Sequence, residues 1–268
     1  MLVLRLLRSK STVLYPSSPH WVCSSRHDGG VFANELSTSL SPRFTTGAPD
    51  GLVGLGFPDG NTCTPRCTPF FSSLAPTLSS PLITFALRKG APGSITFGYI
   101  DPSLYTGSIT YVSTNDNLGG GYWEFNAGGF SIGNGSKVAR KMDTIADTGT
   151  SLLLADDAVV SAFYAPLPSQ TYSAAYGAVI FNCSEAHLLP DLSYYIGGSK
   201  HTMPGAYGMY GQVTTPAGFC YGGVQSNSGL GFTILGDVWL KSQYAVFDYG
   251  KKRVGFAAQK GVEVASYR

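Results

Sequence analysis

The sequence predicts an all-β fold with few, short helices, and three observations carry that reading. Charged residues make up only 13% of the 268 positions, about half the usual share of roughly 25%. Glycine occupies 34 positions, which disfavours long helices and suits many tight turns. Short runs rich in β-branched and aromatic residues alternate with Gly and Pro along the chain.

The predicted strands, in order, are 82–87, 94–97, 108–112, 122–125, 178–181, 243–247 and 253–256. A short helix is expected from Asp156-Asp157, where a carboxylate can accept from the exposed N–H groups of the first turn, through 158–164 to Pro166. Another follows Asp237 over 238–242, with Asp237 as its cap.

Composition also excludes function classes. The net charge is +2, but residues 1–28 hold four basic residues (Arg5, Arg8, Lys10, Arg26) and one acid, Asp28. The remainder carries 14 basic and 15 acidic residues, so no basic stripe marks a nucleic-acid interface. No uninterrupted apolar run approaches 18 residues, so no membrane helix is expected. Arg5 splits the apolar opening, which therefore makes a poor secretory signal.

The five cysteines are uneven. Cys183 and Cys220 enclose a loop for which a bridge contributes about 3–4 kcal/mol in the chain-entropy model. Cys63 and Cys67 form a C-x3-C pair with no nearby His, which favours a small local bridge over zinc, and Cys23 is left over. Asn134-Gly135-Ser136 and Asn182-Cys183-Ser184 are glycosylation sequons. Together these lean towards an oxidising, extracellular setting. The four histidines (His20, His27, His187, His201) lack metal-ligand spacing and are expected on surfaces or loops. Lys251-Lys252-Arg253 is expected as a solvated hairpin tip.

One internal echo stands out. Leu52-Val53-Gly54 and Ile234-Leu235-Gly236 are both two apolar residues followed by Gly. Ile234 follows Asp147 of Asp147-Thr148-Gly149 by 87 residues, whereas Leu52 has no Asp-Thr-Gly before it. Two halves of a repeat, one lacking its front, are expected.

The segment Ile145-Ala146-Asp147-Thr148-Gly149-Thr150-Ser151-Leu152-Leu153-Leu154 is the most informative. An Asp in a Thr-Gly turn between apolar strands is shielded from bulk water, Thr148 and Thr150 offer hydroxyl donors, and Gly149 admits a ligand to the backbone. Such a carboxylate suits a general base acting on water. Peptide hydrolysis needs a second, protonated carboxyl sharing one proton with it. Asp-Thr-Gly is also good turn chemistry in its own right. Asp143, about 13 Å away along an extended strand, reads as a solvated strand-end charge, and Asp156 and Asp157 as helix starters. No second carboxylate restores a pair. Gly129-Phe130-Ser131-Ile132-Gly133 fits G-x-S-x-G, but a turn follows instead of the helix a nucleophile elbow needs.

This segment resembles the second active-site motif of pepsin-like aspartic peptidases, most closely the secreted fungal aspergillopepsin and penicillopepsin type. Asp50-Gly51-Leu52-Val53-Gly54-Leu55-Gly56-Phe57 resembles the family's N-lobe strand, and the stretch 91–101 resembles the end of that lobe. Trp123-Glu124-Phe125, Ile132-Gly133-Asn134-Gly135, Cys220-Tyr221-Gly222-Gly223, Ile234-Leu235-Gly236-Asp237 and Val254-Gly255-Phe256-Ala257 complete an ordered series covering about residues 29–260.

The resemblance implies a bilobal all-β fold: an unmatched leader at 1–28, a partial N-terminal lobe at 29–105 and a C-terminal lobe at 106–268. It implies an endopeptidase hydrolysing polypeptides at acidic pH, secreted and monomeric, without cofactor, metal or covalent intermediate. By the same resemblance Asp147 is the C-lobe catalytic aspartate and Thr148 grips the facing loop. Thr150 bonds the carboxylate, and Gly149, Thr150 and Ser151 line the peptide cleft. Cys183–Cys220 matches the family disulfide.

The departure is equally definite. The chain holds one Asp-Thr-Gly and lacks the family's first catalytic Asp and its flap, so it is expected to be inactive alone. A non-catalytic peptide-binding or inhibitory homologue is the alternative, and a homodimer pairing two Asp147 residues is a third, disfavoured by the partial N-lobe. Strands of 29–105 are expected to leave open apolar edges, with poor solubility, unless 1–28 cover them.

Overall fold

A computed structural model of the chain describes residues 3–6, 51–60 and 68–262. Cys23, Cys63, Cys67, His20, His27 and most of the 1–28 leader lie outside the described residues. The strands are β1 (Val3–Leu6), β2 (Gly51–Gly54), β3 (Leu82–Ala86), β4 (Ser94–Phe97), β5 (Tyr105–Ser113) and β6 (Glu124–Ile132). They continue as β7 (Val138–Ala146), β8 (Leu153–Ala155), β9 (Thr171–Ser173), β10 (Ala178–Asn182), β11 (Leu192–Ile196) and β12 (Ser199–Met203). The series ends with β13 (Met209–Gln212), β14 (Phe219–Gly222), β15 (Val224–Ser226), β16 (Thr233–Leu235), β17 (Gln243–Asp248) and β18 (Arg253–Gln259). The α-helices are short: α1 (Phe70–Leu74), α2 (Asp157–Tyr164) and α3 (Asp237–Leu240).

Three sheets make up the body. A seven-stranded sheet has the order β12-β11-β6-β7-β16-β8-β15, and a five-stranded sheet the order β4-β3-β17-β18-β5. A four-stranded sheet, β13-β14-β10-β9, packs at the side of the former. The five-stranded sheet joins β3 and β4 to the C-terminal hairpin β17–β18, so segments on both sides of residue 105 share one sheet. Every residue of β3 and β17 is buried, as expected of apolar runs inside a sheet covered on both faces.

The core is continuous across these parts. Leu55, Phe71 and Phe85 belong to the same buried cluster as Trp123, Phe125, Trp239, Phe247 and Phe256. The indole of Trp123 donates to the carbonyl of Leu55 at 2.9 Å and its ring lies 4.4 Å from that of Phe57.

Every predicted strand has a counterpart. The predicted strand at 122–125 is the start of the nine-residue β6, whose register shifts between Ala127 and Gly129. Gly129 has φ +131°, and a Cβ there would lie 2.1 Å from the carbonyl oxygen of Val138, so only glycine fits this bulge. Positions 129–132 of the G-x-S-x-G segment are therefore strand, and Ser131 is a buried strand residue. Helix α2 starts as predicted, with the Asp156 side chain accepting from the Val159 N–H at 3.2 Å.

Within 1–28, β1 pairs antiparallel with β2, from Val3 opposite Gly54 to Leu6 opposite Gly51. Part of the leader thus covers one edge of the strand that carries the first Leu-Val-Gly.

Three expectations are corrected. His201 is buried on β12, its ring 5.9 Å from that of Phe256, and burial holds its imidazole below the usual histidine range. It sits inward because it shares β12 with buried Met203 in the required alternation. Arg253 is no solvated tip: it pairs with Asp248 at 2.8 Å and lies 3.8 Å over the Tyr111 ring, while Lys251 and Lys252 are exposed. Asp143 lies within β7, half-buried, and accepts from the Asn117 amide at 3.2 Å.

Candidate active site

Asp147 stands where β7 ends, on a loop that returns as β8. Strand β16 runs between the two, parallel to β7 and antiparallel to β8. The Asp147 N–H donates to the carbonyl of Leu235 at 3.1 Å, so the loop is anchored to the end of β16. This ties Asp147-Thr148-Gly149 directly to Ile234-Leu235-Gly236, the pair of motifs whose spacing the sequence exposed.

Asp147 is 6% exposed, and its carboxylate is oriented from within the loop. The Gly149 N–H donates to Oδ1 at 2.8 Å and the Thr150 hydroxyl to Oδ2 at 2.7 Å. One donor on each oxygen fixes the plane of the carboxylate, the kind of preorganisation acid–base chemistry requires. The Thr150 N–H reaches the Asp147 carbonyl at 3.3 Å and closes the turn. Gly149 and Ser151 are exposed, while Thr148 and Thr150 are half-buried. The structure therefore brings together Asp147, Gly149 and Thr150 by direct bonds and holds Thr148 and Ser151 on the same loop.

Two neighbours, Gly236 and Asp237, have roles at this loop that the sequence does not show. Gly236 sits where the loop crosses β16: a Cβ there would meet the Leu152 carbonyl oxygen at 2.1 Å and that of Thr150 at 2.3 Å. The glycine of the apolar-apolar-Gly echo is thus a notch for the active loop's backbone. The repeated motif was the visible signal, but its reason is tertiary.

Asp237 was expected to cap α3; instead Gly236 holds the cap position and Asp237 lies in the first turn without a capping side-chain bond. Its N–H donates to the Thr150 carbonyl at 2.7 Å, which locks the helix start onto the loop. Burial pushes its carboxyl up to about 6, with Lys241 opposing and the Asp147 charge reinforcing the shift. Its Oδ1 is buried without a hydrogen-bond partner.

Because the folded pKa exceeds the unfolded one, the native chain binds more protons than the unfolded chain between pH 3.8 and about 6. This group's contribution is fully present below that window and is lost as pH rises through it. Asp237→Asn is expected to remove a stability difference on the order of 2 kcal/mol between pH 4 and pH 7. Urea unfolding of both chains at the two pH values measures it, and an unchanged difference refutes it.

Cys183 and Cys220 are joined, as expected, with Cα atoms 5.0 Å apart. Two surface cavities, of about 500 and 470 Å³, lie elsewhere: one beside Phe57, Tyr122 and Tyr249, the other beside Arg140, Asp157 and Thr233. Among the described residues no helix is long and apolar enough to cross a membrane.

The turn that carries Asp147 joins β7 to β8, with β16 paired to both strands. The aspartic proteinase of Irpex lacteus superposes with a TM-score of 0.67 at 24% identity, covering 79% of this chain and 68% of that one, which shows the shared two-lobed fold. The sequence profile of the eukaryotic aspartyl proteases matches residues 31–259. The chain belongs to that family. Aspergillopepsin-1 of Aspergillus fumigatus is 44% identical over 237 residues, which are 86% of this chain and 59% of that protein. Aspergillopepsin-1 of Aspergillus oryzae is 46% identical over 230 residues (85% and 57%), and penicillopepsin-3 of Penicillium janthinellum 41% over 236 (86% and 59%). The chain thus spans under two thirds of the length of these relatives.

Proposed function

We propose that this chain is the Asp147-bearing part of an aspartic endopeptidase that hydrolyses polypeptides at acidic pH. The observation that carries the reading is buried Asp147, whose two carboxylate oxygens accept hydrogen bonds from Gly149 and Thr150 of its own loop. In this reading Asp147 takes a proton from an attacking water, while a second, protonated carboxyl hydrogen-bonds the scissile carbonyl. Thr150 and Gly149 keep Asp147 in plane. The exposed Gly149 and Ser151 line the peptide path, and Thr148 grips the loop opposite.

The chain contains a single Asp-Thr-Gly. A proton-sharing pair needs two carboxyls, so the 268-residue chain by itself is expected to bind peptides without turning them over. We place it outside the cell as a monomer, with a partial N-terminal lobe at 29–105 and a C-terminal lobe at 106–268; the Cys183–Cys220 bridge supports an oxidising compartment.

The test is an assay of purified chain on a protein substrate at acidic pH, with and without pepstatin. Binding with no pepstatin-sensitive turnover is expected. Robust turnover overturns the inactivity, and absence of both binding and turnover overturns the peptide-cleft reading of 147–151.

A further inference from the structure

The two sequons differ sharply in their surroundings. Asn134 lies in the turn joining β6 to β7, where the Gly135 N–H donates to the Ile132 carbonyl at 2.9 Å and Gly133 takes φ +52°. That turn projects Asn134 outward, and residues 134–141 are all exposed. Val138, at the start of β7, is 49% exposed, an apolar spot that a sugar ring can cover.

Asn182 is half-buried at the end of β10. Its side-chain oxygen accepts from both the N–H and the hydroxyl of Ser184, at 3.1 and 2.9 Å, so the sequon's own serine is tied back to the asparagine. Its backbone N–H is held by the Ser169 hydroxyl at 2.8 Å, and the next residue is bridged to Cys220.

We propose that Asn134 is an N-glycosylation site of this protein and that Asn182 is not. The linkage is an N-glycosidic bond from Asn134 Nδ2 to the anomeric carbon of an N-acetylglucosamine: the carbon–oxygen bond to a lipid-linked diphosphate breaks, the diphosphate leaves, and Nδ2 gives up one proton. Position fits as well as chemistry. Val138 and Asp147 are separated by nine residues of strand, about 30 Å at the extended rise, so a glycan at the turn stays clear of the Asp147 loop. The proposal rests on the extracellular reading only for its biological occurrence.

The experiment expresses the full chain behind a cleavable secretory leader in yeast. The whole-cell glycoprotein pool is deglycosylated enzymatically in heavy-oxygen water, and peptides are mapped by mass spectrometry. Heavy-oxygen Asp at position 134, none at 182, is expected. Asn134→Gln and Ser136→Ala are each expected to abolish the mark, and Asn182→Gln to leave it. A mark at 182, or none at 134 while a co-expressed control glycoprotein is modified, overturns the proposal. Because the leader is supplied, failure of the natural chain to be secreted is read separately, by its location in its own cell.

Discussion

Replacing Gly236 by Ala is expected to lower the stability of the chain by about 3 kcal/mol, the upper end for inserting one methyl group. The methyl carbon would overlap two backbone carbonyl oxygens, those of Leu152 and Thr150, at 2.1 and 2.3 Å. Neither can step aside cheaply. The Thr150 carbonyl accepts the Asp237 N–H at 2.7 Å, and the Leu152 carbonyl precedes β8, which is paired on both edges. Moving the loop would also pull the Thr150 hydroxyl off the Asp147 carboxylate. Gly211→Ala is the control: a Cβ there meets nothing within 4 Å, and a change within about 0.5 kcal/mol is expected. Urea unfolding measures both. Equal midpoints for the two variants refute the notch.

Trp123→Ala is expected to cost about 3–5 kcal/mol, the range for emptying a buried indole site. Trp123 is fully buried and touches three parts of the structure. Its Nε1 donates to Leu55, its ring packs on Phe57 and Phe247, and its carbonyl accepts from the Ala146 N–H at 3.1 Å, one residue before Asp147. Trp123→Phe keeps most of the packing and loses the indole donor, which leaves the Leu55 carbonyl unpaired at a cost of about 1–3 kcal/mol. The difference between the variants separates cavity from hydrogen bond. An alanine variant within 1 kcal/mol of the parent would show that residues 51–57 are not held to the body through this indole.

The strands that sequence reading located are those with continuous β-branched and aromatic runs, such as 82–87 and 243–247, which became the fully buried β3 and β17. It missed β11 and β12, although Gly197-Gly198 between them, at φ +57° and +85°, is a strong hairpin signal. The strand predicted at 122–125 stops short of the Gly129 bulge, which is visible only once Val138 is placed beside it. It read Asp237 as a cap because the first acidic residue of a short helix is usually one. That Gly236 takes the cap position depends on the loop packed against it.

What the sequence determined by itself is local and chemical: an all-β chain, the Asp147-Thr148-Gly149-Thr150-Ser151 turn and the paired apolar-apolar-Gly motifs. Each of these is set by residue type and short spacing. Only the tertiary structure decided that Gly236 must be glycine, that burial raises the Asp237 carboxyl, that His201 is buried and that Asn134 and Asn182 differ. The reason is the same in all four cases. Steric overlap, desolvation and exposure are properties of atoms brought close from distant points in the chain, and no local pattern records which carbonyl, charge or solvent will be the neighbour.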